Sequence, residues 1–221
     1  GSVLPDPVLE LHQGNTTLVV NDDWKTRQDG SSQQAEVEAT TVAPKNDLES
    51  AIVVTLNPGS YTAILSGKNG ASGVGVVEVF DLARTANSQL QNLSTRGFVD
   101  INNDVMIGGF IMGQTPEGLA TILVRALGPS LTGAGVQSTL PDPTLELHNS
   151  NGTTLATNDN WKINDQTQQS QESAIRATTL APPNDLEAAI LATLPQGAYT
   201  AIVRGKNNTT GVGLVEVYNL K

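Results

Sequence analysis

Cysteine is absent from the 221 residues. That single absence excludes disulfide staples, thiolate zinc sites and thiol nucleophiles. Aromatic residues are scarce: two Trp, three Tyr and three Phe. Sugar rings stack on platforms of several exposed aromatic faces, and so few leave little to build one. Positive charge is also short, with 12 Lys plus Arg against 22 Asp plus Glu and a net charge of −10. Nucleic acid demands a basic footprint, so no nucleic-acid partner is expected. No apolar run approaches the roughly 20 residues of a spanning helix, and no membrane insertion is expected. No signal peptide is legible. Phosphate loop, dinucleotide fingerprint and Gly-x-Ser-x-Gly elbow are all missing, so the chain is not expected to be an enzyme.

What is present is a repeat. Leu4-Pro-Asp-Pro-Val-Leu-Glu-Leu-His12 returns as Leu140-Pro-Asp-Pro-Thr-Leu-Glu-Leu-His148, and Asn21-Asp-Asp-Trp24 returns as Asn158-Asp-Asn-Trp161. Glu49 to Leu82 returns as Glu187 to Leu220 with 20 of 34 positions identical. The offset grows only from 136 to 138 along the chain, so small loop insertions alone separate the copies. Internal periodicity of this length decides architecture before any local reading does. The repeat is lopsided: residues 83–139 precede the second copy and have no counterpart ahead of the first.

Period-two alternation of β-branched and aromatic residues, punctuated by Asn, Asp, Gly and Pro, predicts an all-β chain. In the second copy and the segment ahead of it, strands are expected over 97–101, 105–112, 120–127, 144–148, 154–158, 188–194, 199–205 and 212–218. Eight strands suit a two-sheet antiparallel β-sandwich of jelly-roll type. The first copy offers five. The expected division is therefore a partial sandwich over 3–82, short of about three strands, and a complete one over 83–221. Short helices fit only around 33–41 and 168–178.

The second copy resembles an uncharacterised repeat module of large secreted proteins in environmental bacteria. The likeness rests on Asn92-Leu-Ser-Thr-Arg-Gly97, Ile107-Gly-Gly-Phe110, Val124-Arg-Ala-Leu-Gly-Pro-Ser-Leu131, Asp142-Pro143, Asn158-Asp-Asn-Trp161 and Tyr199 to Leu220. More loosely, the later half resembles pre-peptidase C-terminal sandwich domains of secreted bacterial enzymes, some of which bind calcium. These resemblances, with the low lysine content and abundant Asn, Thr and Gly, imply an extracellular or cell-surface location.

Asp22, Asp23, Asp159 and Asn160 offer oxygen ligands on a turn, as hard cations such as calcium require, with Asp47 and Asp185 as further donors. The same residue types also cap turns by bonding their own backbone. Trp24 and Trp161 read as core plugs, with sugar stacking the alternative. His12 and His148 end equivalent strands and show no ligand or base spacing. Glu10, Glu146, Glu78 and Glu216 alternate with apolar residues and are expected on solvent faces. Arg125, on an apolar strand, calls for a carboxylate or carbonyl partner, or else a contact between units.

A five-strand piece of an eight-strand fold leaves an edge or face uncovered, and folded proteins rarely tolerate that. The expected function is an extracellular structural module, for a surface, adhesive or filament, that assembles by strand or face complementation between repeats. Self-association is the expected partnership. A polysaccharide- or ligand-binding module is the alternative.

Overall fold

The structure, a computed structural model, describes residues 2–82, 90–113 and 118–220. It divides into two compact units, Gly1–Gln89 and Leu90–Lys221. The boundary expected at 82/83 abuts residues 83–89, outside the described residues.

The second unit has eight main strands: β4 (Asn92–Val99), β5 (Met106–Met112), β6 (Leu119–Leu127), β7 (Pro143–Asn149), β8 (Thr154–Asn158), β11 (Ala188–Pro195), β12 (Gly197–Gly205) and β13 (Gly211–Asn219); seven match the expected spans closely, while β4 begins at Asn92 and ends at Val99 where 97–101 was expected. A two-residue ribbon, β9 (Ile163–Asn164) with β10 (Gln169–Ser170), and helix α2 (Glu172–Ala177) lie in the long connection after β8. The strands form two four-stranded antiparallel sheets, ordered β11-β6-β13-β4 and β5-β12-β7-β8. Their inner faces meet in one core, with Ile122, Val124, Val215 and Ile190 from the first sheet against Leu145, Leu147, Val203 and Tyr199 from the second. This is an antiparallel β-sandwich. On the outer side of the first sheet, Leu123, Trp161, Ile175 and Ala189 form a second cluster. The α2 connection is thereby pinned down as a cover.

The first unit repeats only part of this. It has β1 (Pro7–Gln13), β2 (Thr16–Asn21) and β3 (Thr62–Gly67), in one antiparallel sheet ordered β2-β1-β3, and helix α1 (Gln34–Ala39). By the repeat, these strands correspond to β8, β7 and β12. Five strands were expected here and three form. Residues 51–57 and 75–82, whose copies are β11 and β13, carry no strand. The physical reason lies in the second unit's sheet order: β11 and β13 do not pair with each other, because β6 lies between them and pairs with both. The first unit has no copy of β6 among its described residues, so two strand-forming sequences lack the backbone that would make them strands.

Burial follows the same line. Leu145 and Leu147 of β7 are fully buried, while their copies Leu9 and Leu11 on β1 are half-buried. Among the described residues of the first unit, Trp24 and Val37 are the buried apolar side chains. Val54, Val76, Val77, Val79, Phe80 and Leu82 are exposed, Val76 to 79%.

Candidate functional site

Two features of the first unit stand out: residues 51–57 and 75–82, which carry no strand where their copies do, and an acidic corner beside β1.

In the second unit the central strand β6 is held on both sides. β6 runs antiparallel to both neighbours, in register from Ala126 opposite Ala188 to Leu119 opposite Pro195 on one side, and from Leu127 opposite Leu214 to Ile122 opposite Asn219 on the other. Arg125 is opposite both Ala189 and Glu216. Its Nε donates to Glu216 Oε2 at 2.6 Å, Nη1 to the Leu180 carbonyl at 2.7 Å and Nη2 to the Tyr218 hydroxyl at 3.1 Å. The guanidinium also lies 5.1 Å from the Tyr218 ring centre. Glu216, expected to face solvent, is instead buried by this pairing, because α2 and its flanking loop cover the outer face of that sheet. Burial and the nearby carboxylate raise the Tyr218 pKa. Just past β6, Glu187 is wholly buried. Its Oε1 accepts from the backbone N–H of Gly128 and Ser130, at 3.1 and 3.0 Å, and from the Ser130 hydroxyl at 2.5 Å. Ser130 is thus an anchor for a buried carboxylate. That role was not legible in the Gly-Pro-Ser sequence, since Glu187 is 57 residues away.

In the first unit the copies of β11 and β13 are anchored at their starts as in the second. Ala51 N–H donates to Asn21 Oδ1 at 2.9 Å, as Ala189 N–H does to Asn158 Oδ1. Val74 N–H donates to the Ser2 carbonyl at 2.8 Å and its carbonyl accepts from Leu4 N–H at 2.9 Å, matching Val212 with Ser138 and Leu140. The crossing is so close that a Cβ on Gly73 would sit 2.6 Å from Leu4 N, and one on Gly211 2.7 Å from Leu140 N. Beyond these anchors the two segments of the first unit lose their sheet. Glu49, copy of Glu187, is exposed and accepts from the Lys45 and Asn46 N–H groups, at 3.2 and 3.3 Å. Glu78, copy of Glu216, is exposed too.

The acidic corner gathers Asp6, Asp22 and Asp23, with one oxygen of each within 4.8 Å of the others. Each Oδ1 is buried and without a hydrogen-bond partner. Lys68 lies against them, its Nζ 2.5 Å from Asp22 and 3.5 Å from Asp6. The Asp22 contact raises the Lys68 pKa. Asp22 and Asp23 are expected here from the sequence and Asp6 is not, although the repeated Leu-Pro-Asp-Pro, with Asp142 as its copy, is a signal for it. In the second unit Lys206 Nζ is 2.6 Å from Asp159 and 3.6 Å from Asp142. Asn160 donates its amide to Asp159 Oδ2 at 3.2 Å, so that corner has one carboxylate fewer. Asp47 and Asp185 lie apart, paired with Lys25 and Lys162.

The remaining motif residues are structural. Asn21 and Asn158 are buried latches that donate to backbone carbonyls on their own loops. Gln33 and Gln171 clamp the carbonyls of Trp24 and Trp161 at 2.8 and 2.9 Å. Trp24 and Trp161 are 5% and 1% exposed, so neither presents a ring for sugar stacking. His12 and His148 lie 2.9 Å from Glu10 and Glu146.

Neither a family model nor a curated protein matches the chain. Among solved structures, the pre-peptidase C-terminal domain of a collagenase from Bacillus anthracis is similar at 14% identity and a TM-score of 0.35, over 57% of this chain and 89% of that one.

Proposed function

We propose that the chain is a non-enzymatic structural module of the bacterial surface or extracellular space, which assembles by completing its first unit across a molecular boundary. One observation carries the reading: β11 and β13 of the second unit flank a shared central strand, and their first-unit copies are anchored in the same way with no such strand among the described residues. Exposed apolar side chains and unpaired strand backbone recruit further strands or faces. No helix among the described residues is long and apolar enough to cross a membrane. Light scattering on the purified chain tests the proposal. Mass should rise with concentration, and Val79→Asp, which places a charge on the exposed segment, should suppress that rise. A monomer at every concentration, with slow amide exchange across 51–57 and 75–80, would sink it.

Calcium is the ion proposed for the Asp6, Asp22, Asp23 corner. Three carboxylates against one ammonium leave an excess of negative charge, and the orphaned oxygens suit a hard cation that takes six to eight such ligands. An ion that binds only the folded state raises the melting temperature by linkage. The first unit's Tm is expected to rise between EDTA and millimolar calcium, and the rise should vanish in Asp23→Asn. An identical Tm in both buffers removes calcium from the proposal.

A further inference from the structure

We infer that strand β5 is a self-association edge, which pairs antiparallel with β5 of a second copy of this chain about a two-fold axis at Gly109. This interface lies within the second unit and does not depend on how the first unit is completed.

Each sheet of the sandwich ends in two edge strands, and a bare edge recruits strands from other molecules. Three of these four edges carry a block. β4 has the exposed Arg96 in mid-strand. On β11, Asn158 Oδ1 accepts from the Ala189 N–H at 2.9 Å, and Gln171 Nε2 donates to the Ala189 carbonyl at 3.1 Å. β8 is only five residues long, and Gln166 Nε2 donates to its Thr157 carbonyl at 3.2 Å. β5 has none of these devices. Its seven residues, Met-Ile-Gly-Gly-Phe-Ile-Met, include no charge and no proline. It pairs with β12 in unbroken register, from Met106 opposite Val203 to Met112 opposite Gly197, and with no other strand among the described residues.

The sequence of β5 specifies which strand fits that edge. Read outward from Gly109 it is nearly a mirror image: Ile107 matches Ile111 and Met106 matches Met112. In an antiparallel pair centred on Gly109, every residue is opposite its mirror position. On the outer face Ile107, 55% exposed, meets the second copy's equivalent of Ile111, itself 79% exposed, and the contact is made twice. On the inner face Gly108 is set opposite Phe110, small against large, with the Phe110 ring stacked 5.6 Å from Tyr199. Slipping by two residues, the smallest slip that keeps the faces aligned, sets Ile107 opposite glycine and loses the match. Gly109 supplies an independent sign. A Cβ on Gly108 would sit 3.0 Å from Val215 Cγ1, so packing within the chain accounts for that glycine. A Cβ on Gly109 would meet nothing within 4 Å, and its φ is not left-handed. Glycine weakens a strand interior and marks places where another backbone comes close. At 109 that backbone is the second copy's.

The chain has no cysteine, so single-cysteine variants of the full chain report the geometry directly. Directly opposite residues of an antiparallel pair have Cα atoms about 4.5–5.5 Å apart, within disulfide reach. Under mild oxidation Gly109→Cys should link to itself at least about tenfold faster than Ile107→Cys or Ile111→Cys does alone. A mixture of Ile107→Cys and Ile111→Cys should form the mixed dimer about as fast as Gly109→Cys links to itself. One strand pair is a small interface, so the dimer is weak and depends on concentration. In the unaltered chain, amide exchange across 106–112 should therefore slow as concentration rises from micromolar toward millimolar. Gly109→Lys, which sets like charges directly opposite each other, should remove that slowing. Val79→Asp should leave it in place, with the mass stopping at the dimer. Equal self-linking of the three cysteine variants, or exchange across 106–112 that ignores concentration, overturns the inference. If Val79→Asp removes the slowing, this inference falls and the first-unit reading stands. If the unaltered chain stops at a dimer that only Gly109→Lys disperses, the β5 edge stands and the first-unit reading falls.

Discussion

At the residue scale, buried charge is the sharpest constraint on this fold. The side chains of Arg125 and Glu216 are 14% and 10% exposed, and each satisfies the other. Truncating one member of such a pair leaves the other buried and uncompensated, at about 3–5 kcal/mol. Arg125→Ala should therefore lower the second unit's stability by about 3 kcal/mol in a urea titration, and Arg125→Lys should recover little, because a single ammonium cannot reach all three acceptors. The lysines of the acidic corners act in the alkaline range. Lys68 and Lys206 have raised pKa values, mainly through hydrogen bonds to Asp22 and Asp159. A raised amine pKa means that the folded state holds its proton more tightly than the unfolded chain. The resulting stability is complete below about pH 10.4, the unfolded lysine value, and is lost as pH rises through the folded value. Urea midpoints should fall between pH 10 and 12, and less steeply in a Lys68→Met, Lys206→Met double variant. Asp142 works in the opposite sense at the acid end. Burial raises its pKa above 3.8, so its own contribution to stability falls as pH climbs through that region.

At the element scale, residues 51–57 and 75–82 demonstrate that a strand is not a property of its own sequence. They share most residues with β11 and β13, and their anchoring hydrogen bonds at Ala51 and Val74 are the same. What they lack among the described residues is a paired strand alongside, and a strand forms its ladder only against another. Native-state hydrogen exchange should show this contrast directly, with amides of β11 and β13 protected far more than those of 51–57 and 75–80. Equal protection in the two copies would contradict the description of the first unit as incomplete. The same comparison explains Glu216, read from alternation as solvent-facing. Alternation does assign it to the outer face, but the α2 connection lies over that face.

At the scale of the whole molecule, two units of one sequence family differ in how much core each encloses. The second has two sheets closed on a continuous apolar interior, whereas the described first unit buries Trp24 and Val37. Stability tracks apolar burial, so calorimetry should resolve two transitions, the lower one belonging to the first unit. One cooperative transition with equal calorimetric and van't Hoff enthalpies would refute that division.

The sequence alone determined the repeat, the all-β class, seven of the second unit's eight main strands and both short helices, because alternation, turn residues and internal identity are local signals; for β4 it reached only Gly97–Val99. It also determined that Asp22 and Asp23 lie on one turn. Only the tertiary structure decided that Asp6 joins them, that Glu187 is held by Ser130, and that Arg125 serves Glu216, since these contacts span long separations in the chain. It decided as well that two of the first unit's five strand-like segments carry no strand. Pairing depends on which backbone lies alongside, and sheet order, with β6 between β11 and β13, is invisible to any local pattern.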